Sequence, residues 1–435
     1  MRQGRRVRLP RAGGFTMIVI AAALGASCAT SHVVKDNVTR VVKGQPTDYS
    51  GLPDAGRHDF EGVQKELGEL RAKFAQEVAT LRANAQKRWG KGAQVADTKV
   101  YVKYSQGYNS RVITDFDHGI VSIESRDAKD PKGSLHTAIV AALLTGSDPA
   151  TVDLFSAKDV TLDPSKRPYL YGLIHDNQGK SIANRKDADA YATYLVANRA
   201  KSRVVPAEEG GGVAWFVNLT MVRNFEARGA ERYRASVDRY AAQYHVSPSL
   251  VLAIMRTESN FNPFAVSGAP AYGLMQLVPT TGGRAAQKRV SGKEETPTSD
   301  LLLDPEHNIE LGVAYLSVLN SDEFPTVTNS TSRDYVVIAA YNTGPGNVIK
   351  VFGSGRTSAV TAINAQQPAE LFEHLRTGLP MQETRDYVVK VTGYRKEFVT
   401  APAAPAATPA ATPAASPAPA AVRSSNPAPA PIAGH

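Results

Sequence analysis

The segment VSPSLVLAIMRTES, residues 246–259, carries the strongest fold signal in the chain. Ser247 is a favourable N-cap residue and Pro248 suits the first turn of a helix, so we predict a helix over Pro248–Ser259. Helical spacing places Glu258 on the same stripe as three apolar residues, Val251, Ile254 and Met255. The segment therefore puts a carboxylate on an apolar stripe, in the last turn of a helix.

This position favours the protonated form of Glu258. Burial among apolar side chains and the partial negative charge of a helix C-terminus both disfavour an ionised carboxylate. A glutamic acid that keeps its proton near neutral pH is what a general acid needs to cleave a glycosidic bond. The alternative is a structural glutamate paired with an arginine or a backbone amide, and spacing alone leaves both interpretations open.

Further motifs follow the helix in a fixed order. Ser267 comes first, then GLMQ at residues 273–276, AYNTGPG at 340–346 and ETRDY at 383–387. Together with the Glu258 segment, these blocks resemble the lytic murein transglycosylases of the goose-lysozyme-like fold, also called the SLT domain. Several separated motifs in one order are much harder to meet by chance than any single motif, so the resemblance is specific.

The first half of the chain extends the resemblance. YVKY at residues 101–104, DL at 153–154 and YLYG at 169–172 are similar to the membrane-bound lytic murein transglycosylase C branch of this family, as is the LAIMRTES run. The resemblance covers most of residues 60–398. Pro270 and Tyr272, in the loop before GLMQ, depart from the family pattern, and so does an Ala/Pro-rich C-terminus.

The resemblance implies a reaction with one catalytic carboxylate. Glu258 would protonate the β-1,4 glycosidic oxygen between N-acetylmuramic acid and N-acetylglucosamine in peptidoglycan, and would then take a proton from the muramic C6 hydroxyl. The product would be a 1,6-anhydromuropeptide, with no water, metal or other cofactor used. The substrate's N-acetyl group would assist in place of a second acid. Other acids near the motifs have structural interpretations, since Asp304 resembles an N-cap and Glu383 opens the last helix.

The resemblance also implies substrate-binding residues, each with a structural alternative. Ser267 and Gln276 could instead serve loop and turn geometry, Met275 could be a core residue, and the end of the 333–341 helix could simply be closed by Gly344. The residues carried over as substrate-binding are Ser259, Ser267, Met275, Gln276, Tyr341, Asn342 and Tyr387. Because a sugar cleft needs polar and aromatic walls, we expect these side chains to converge on one groove with Glu258.

Hydrophobic periodicity predicts an α+β fold with two domains. Residues 54–225 form an N-terminal mixed α/β domain, with helices expected at 60–89, 134–144 and 188–201, a hairpin of strands at 100–104 and 120–123, and a strand at 213–221. Residues 230–399 form an all-α, lysozyme-like domain with helices at 229–244, 248–259, 305–320, 333–341 and 383–398. Residues 400–435 are nearly all Ala, Pro, Ser and Thr, which predicts a disordered tail.

The N-terminus has the layout of a secretory signal. Residues 1–27 combine five arginines with a short apolar run and small residues, and a cysteine follows at position 28. We predict a lipoprotein signal peptide, acylation of Cys28, a tether over 28–53 and, from Ala29, an outer-membrane lipid anchor that faces the periplasm. The alternative is an ordinary signal peptide that happens to contain a cysteine.

Composition excludes other classes. The formal charge falls from +9 to +4 without residues 1–27, and no basic cluster with interleaved aromatics suggests nucleic-acid binding. One cysteine allows no intrachain disulfide, and the nine histidines show no metal-ligand spacing. Two rivals to the transglycosylase interpretation stay open, a hydrolase with a reducing-end product and a non-catalytic peptidoglycan-binding lipoprotein.

Overall fold

The structure, a computed structural model, describes residues 54–268 and 270–400, without the side chains of residues 54–64 and 400. The predicted signal peptide, Cys28, the tether and the tail beyond residue 400 lie outside these residues. Within them, the N-terminal half contains three helices and five strands. They are α1 (Asp54–Trp89), β1 (Val100–Ser105), β2 (Ser110–Asp115), β3 (Ile120–Ser125), α2 (Pro131–Leu144), α3 (Arg185–Asn198), β4 (Lys201–Val204) and β5 (Val213–Thr220).

The five strands form one antiparallel sheet in the order β1-β2-β3-β5-β4. Alternation along β1 sends Val102 and Tyr104 to one face, where they pack with Leu81, Ala85 and Trp89 of α1. Tyr101 lies on the opposite face, in a core shared with α2 and α3. The sheet is therefore covered by helices on both faces.

The C-terminal half is mainly helical, and residues 260–278 form its longest described non-helical segment. Its helices are α4 (Phe225–Tyr244), α5 (Pro248–Ser259), α6 (Arg284–Ser291), α7 (Ser299–Leu303), α8 (Pro305–Val318), α9 (Ser330–Thr343), α10 (Pro345–Phe352), α11 (Arg356–Asn364), α12 (Pro368–Gly378) and α13 (Gln382–Thr400). Single π-helical turns at Pro279–Gly283 and Leu319–Glu323 adjoin α6 and α8.

One hydrophobic core joins the two halves. Its buried residues run from Phe74 in α1 to Val391 in α13. At the junction the Tyr101 ring stacks on Phe264 with 4.2 Å between ring centroids, and Tyr169 meets Phe264 edge-on at 5.2 Å. Aromatic pairs in these geometries add to the free energy gained from burial, so the junction is a packed interface.

The predicted α+β class is confirmed. The helix at 248–259 matches α5 at both ends, but five short helices were missed, namely α6, α7, α10, α11 and α12. The cap predicted at Ser134 was wrong, because Asp130 caps α2 through the backbone amide of Gly133. The helix predicted to reach residue 201 ends at Asn198, since Lys201 already belongs to β4.

Candidate active site

Helix α5 carries Glu258 on its buried stripe. Three residues of this stripe are fully buried, namely Val251, Ile254 and Met255. Glu258 is half-buried at the C-terminal end of the stripe. Ser247 occupies the N-cap position but its side chain does not cap the helix, because its hydroxyl pairs with Ser249 at 2.9 Å. Thus the apolar residues of the stripe anchor α5 in the core, and its last turn presents the carboxylate.

A strained turn follows helix α5. Asn260 and Phe261 both have positive φ, 47° and 62°, and for a bulky residue such as Phe261 this conformation is unfavourable. Phe261 packs closely on Gly229, since a Cβ atom added at Gly229 would lie only 3.0 Å from the Phe261 side chain. The Asn260 amide donates to the Phe116 carbonyl at 2.7 Å, next to the sheet hairpin. The surrounding structure therefore holds the strain in place and fixes the end of α5.

Most of the residues predicted for the site line one cleft. Glu258 shares it with five residues from the loop after α5, the end of α9 and helix α13, which are Ser267, Gln276, Tyr341, Asn342 and Tyr387. The cleft has a volume of about 280 Å³. The convergence expected from the sequence is present for these six side chains.

Tyr387 contacts the carboxylate directly. Its hydroxyl donates a hydrogen bond to Oε1 of Glu258 at 2.7 Å, which leaves Oε2 to carry a proton. Burial raises the pKa of Glu258 to about 8, and the negative charge of Glu383 pushes the pKa in the same direction. The Tyr387 hydrogen bond and the charge of Lys99 act against this rise. Glu258 is therefore a protonated acid at neutral pH, and the cause is mainly desolvation.

Two residues carried over as substrate-binding lie away from the cleft. Ser259 is fully buried, and its hydroxyl donates to the carbonyls of Leu274 at 2.8 Å and Met255 at 3.1 Å. Met275 is also fully buried. It packs closely on Gly312, since a Cβ atom added at Gly312 would collide with the Met275 sulfur. The geometry does not support a sugar contact for either side chain. Both instead hold the GLMQ loop against α5 and α8.

The remaining predicted residues shape the cleft through hydrogen bonds. Tyr341 donates to the Met275 carbonyl at 2.8 Å, so the α9 end fixes the GLMQ loop. Gln276 has a positive φ of 49° and donates through Nε2 to the carbonyls of Gly273 at 2.9 Å and Ala265 at 3.1 Å. Its Oε1 is buried without a partner among the described residues. A buried acceptor left open beside Glu258 is suited to receive a donor from a substrate.

Sequence reasoning missed several cleft residues. Glu383, interpreted as a helix-opening residue, lines the cleft, where burial raises its pKa and a hydrogen bond from Asn342 lowers it. Lys99, from the loop before β1, lines the same cleft and forms an ion pair with Asp117 at 3.1 Å. Tyr315 of α8 also lines it, and its buried hydroxyl lacks a hydrogen-bond partner within the described part of the chain.

One of these omissions had a usable signal. Glu383 stands four residues before Tyr387 on α13, so the two lie on one helix face. Nothing in the local sequence marks Lys99 or Tyr315, because their place in the cleft depends on how the sheet and α8 pack around α5. Within residues 65–268 and 270–399, no group of three or more His, Cys, Asp or Glu side chains is arranged to hold a metal ion.

Two family models match the chain. The family model described as membrane-bound lytic murein transglycosylase C, N-terminal domain, matches residues 67–232, and the transglycosylase SLT domain matches residues 235–364. The 70-kDa soluble lytic transglycosylase of Escherichia coli is 28% identical, with a TM-score of 0.30 over 39% of this chain and 24% of the other.

Curated relatives match over a larger share of the chain. The membrane-bound lytic murein transglycosylase C of Yersinia enterocolitica is 41% identical over 317 residues, which are 72% of this chain and 87% of that protein. The protein of the same name from Serratia proteamaculans is 40% identical with the same coverage. This chain therefore belongs to the membrane-bound lytic murein transglycosylase C family.

Proposed function

We propose that this protein is a peptidoglycan lytic transglycosylase that uses Glu258 first as acid and then as base. Glu258 protonates the glycosidic oxygen between N-acetylmuramic acid and N-acetylglucosamine, and the C1–O bond breaks. The carboxylate then removes the proton from the muramic C6 hydroxyl, whose oxygen bonds to C1. Glu258 ends protonated as it began, no water is consumed, and the product is a 1,6-anhydromuropeptide.

The observation that supports this proposal is the half-buried Glu258 carboxyl with its pKa raised to about 8, hydrogen-bonded by Tyr387 in an open cleft. A general acid must hold its proton at the working pH and must also give it up, which a pKa slightly above neutral permits. Tyr387 holds Oε1, so the proton on Oε2 has a defined direction. The substrate's own N-acetyl group supplies the stabilisation that a second carboxylate gives in other glycosidases.

Glu383 is the residue that favours a second candidate, a hydrolase. A second carboxylate in the cleft could activate water, as in inverting glycosidases. Against this role, the Glu383 carboxylate already accepts a hydrogen bond from Asn342, which occupies part of the group that would have to take a proton from water. Its negative charge instead favours the protonated form of Glu258, so we assign Glu383 to tuning the acid.

Mass spectrometry of the soluble products separates these candidates. Peptidoglycan is incubated with the parent chain, with Glu258→Gln and with Glu231→Gln, a matched change at an exposed glutamate of α4. Anhydromuropeptides from the parent and Glu231→Gln, with none from Glu258→Gln, are the expected result. Reducing muropeptides, one water heavier, would replace the transglycosylase proposal with hydrolysis, and no release from the parent would point to a binding protein.

We further propose that acylation of Cys28 anchors the protein to the outer membrane, facing the periplasm. The curated relatives are named membrane-bound, and none of the helices described by the structure is long and apolar enough to cross a bilayer. Detergent-phase partitioning of the parent and of Cys28→Ser tests this anchor. The parent should enter the detergent phase and the variant the aqueous phase, and equal partitioning of the two would refute acylation at Cys28.

A further inference from the structure

A second pocket lies in the N-terminal half and shares no lining residue with the cleft around Glu258. It opens between the inner face of β1, through Tyr101, Lys103 and Ser105, and helix α2. Its volume is about 170 Å³. An engineered cavity of about 150 Å³ holds benzene, so this pocket has room for a group of about six non-hydrogen atoms.

Lys103 brings a buried positive charge to this pocket. The residue is 3% exposed, and its ammonium donates to the carbonyls of Asp153 at 2.6 Å and Ser156 at 2.9 Å. An ammonium has three N–H donors, so one is left over. Among the described residues Lys103 forms no ion pair. The exposed acids Asp153 and Asp159, of which Asp159 also lines the pocket, act to raise its pKa, but burial outweighs them and lowers the pKa to about 8. A buried cation without a paired anion favours an anionic ligand.

Tyr101 adds an unused donor on the same face of β1. The residue is 1% exposed, and its hydroxyl has no hydrogen-bond partner in the part of the chain that the structure describes. Stacking on Phe264 holds the ring in place, so the hydroxyl cannot simply turn to solvent. Buried hydroxyls nearly always have a partner, and an open one in a pocket wall indicates a place where a ligand atom can sit.

The other walls are mainly apolar. Val112, Val140 and Leu162 line the pocket, whereas the charged groups at its mouth are partly engaged, as Arg185 pairs with Asp189 at 2.8 Å. A ligand therefore meets an apolar surface along its length and hydrogen-bond donors at one end.

We propose that this pocket binds a small aliphatic carboxylate of about six non-hydrogen atoms, with its carboxylate between Lys103 and Tyr101 and its carbon chain against the apolar walls. Short fatty acids and small amino acids, either free or at the end of a peptide, share this chemistry. The proposal does not depend on the reaction at Glu258, because it concerns binding to a separate pocket.

Isothermal titration of the intact chain with butyrate and with D-alanine tests the proposal, and n-butanol and butylamine serve as neutral and cationic controls. Butyrate, D-alanine or both should bind saturably, and butanol and butylamine at least tenfold more weakly. Binding of butyrate alone indicates a fatty-acid type of ligand, and binding of D-alanine alone an amino-acid type. No saturable heat with either carboxylate up to about 50 mM, well above the ~1 mM range expected for so small a ligand, would overturn the proposal.

Variants locate the binding in this pocket. Lys103→Met should weaken carboxylate binding at least tenfold. Ala141→Leu, which fills the pocket without removing a charge, should weaken binding equally and provides a second test if Lys103→Met does not fold. Lys158→Met, at an exposed lysine outside the lining, and Tyr233→Phe, which removes an unpartnered buried hydroxyl elsewhere, should leave binding unchanged. Full binding by a folded Ala141→Leu variant, or equal binding of butanol and butyrate, would contradict the proposal.

Discussion

Replacing Tyr387 with phenylalanine should move the alkaline limit of activity upward. In the parent, kcat/KM should fall tenfold per pH unit above about pH 8, because Glu258 must be protonated and its pKa is about 8. The Tyr387 hydroxyl stabilises the ionised carboxylate through its 2.7 Å hydrogen bond. A hydrogen bond to a charged group contributes about 1.5–3 kcal/mol and one pKa unit corresponds to about 1.4 kcal/mol, so its loss should shift the limit to about pH 9–10.

The assay is kcat/KM against pH with a soluble glycan substrate, since this ratio reports the ionisation of the free enzyme. Tyr341→Phe is the matched control, because the Tyr341 hydroxyl donates to the Met275 carbonyl instead of to Glu258. Its alkaline limit should stay near pH 8, even if the rate at the optimum changes with the position of the GLMQ loop. If the limit of Tyr387→Phe stays in place or moves downward, then Glu258 is not the titrating acid or its ionised form does not receive this hydrogen bond.

Three further predictions concern stability and substrate affinity. Because the folded pKa of Glu258 is raised to about 8, the parent should lose about 2–3 kcal/mol of unfolding free energy between pH 4.5 and pH 7, and Glu258→Gln should not show this loss. Chemical denaturation at the two pH values measures the difference, and an equal pH dependence of the two proteins would contradict the prediction. Tyr315→Phe should raise KM about threefold to tenfold with kcat little changed, whereas Tyr233→Phe should leave both unchanged, as steady-state kinetics will show. Gly312→Ala should cost about 1–3 kcal/mol of unfolding free energy, because its methyl group would collide with the GLMQ loop, while Gly393→Ala in α13 has open space and should gain about 0.5–1 kcal/mol.

The sequence predicts the long elements of the fold well. Helix α5 and strand β5 were each placed within a residue at both ends, because Pro248 marks the start of the helix and a regular apolar period marks both elements. The region from Pro345 to Gly378 contains three helices that were missed. Each is eight to eleven residues long, and glycines separate the first two, so the local signal is that of a loop. Only packing against the rest of the core makes these short segments helical.

The sequence predicts the candidate site residues that belong to recognisable motifs, but not those outside them. Glu258, Gln276 and Tyr387, which share one cleft, were expected together because each belongs to a block whose order in the chain is distinctive. Ser259 lies outside the cleft because adjacency in sequence does not mean a shared direction on a helix, and the residue after Glu258 points about 100° away from it into the core. Lys99 was missed because it comes from a half of the chain that carries no catalytic motif.

The position of Lys99 makes the sheet part of the cleft around Glu258. Asn262 donates to the Thr98 carbonyl at 3.2 Å and Asn260 donates to the Phe116 carbonyl at 2.7 Å, so two amides from the turn after α5 hold the two ends of the β1–β2 hairpin. The same turn contains the unfavourable backbone of Phe261. Strain of this kind persists only where neighbouring groups fix it, and here some of those groups belong to the sheet. The N-terminal half therefore both supplies a charge beside Glu258 and holds the turn that orients it.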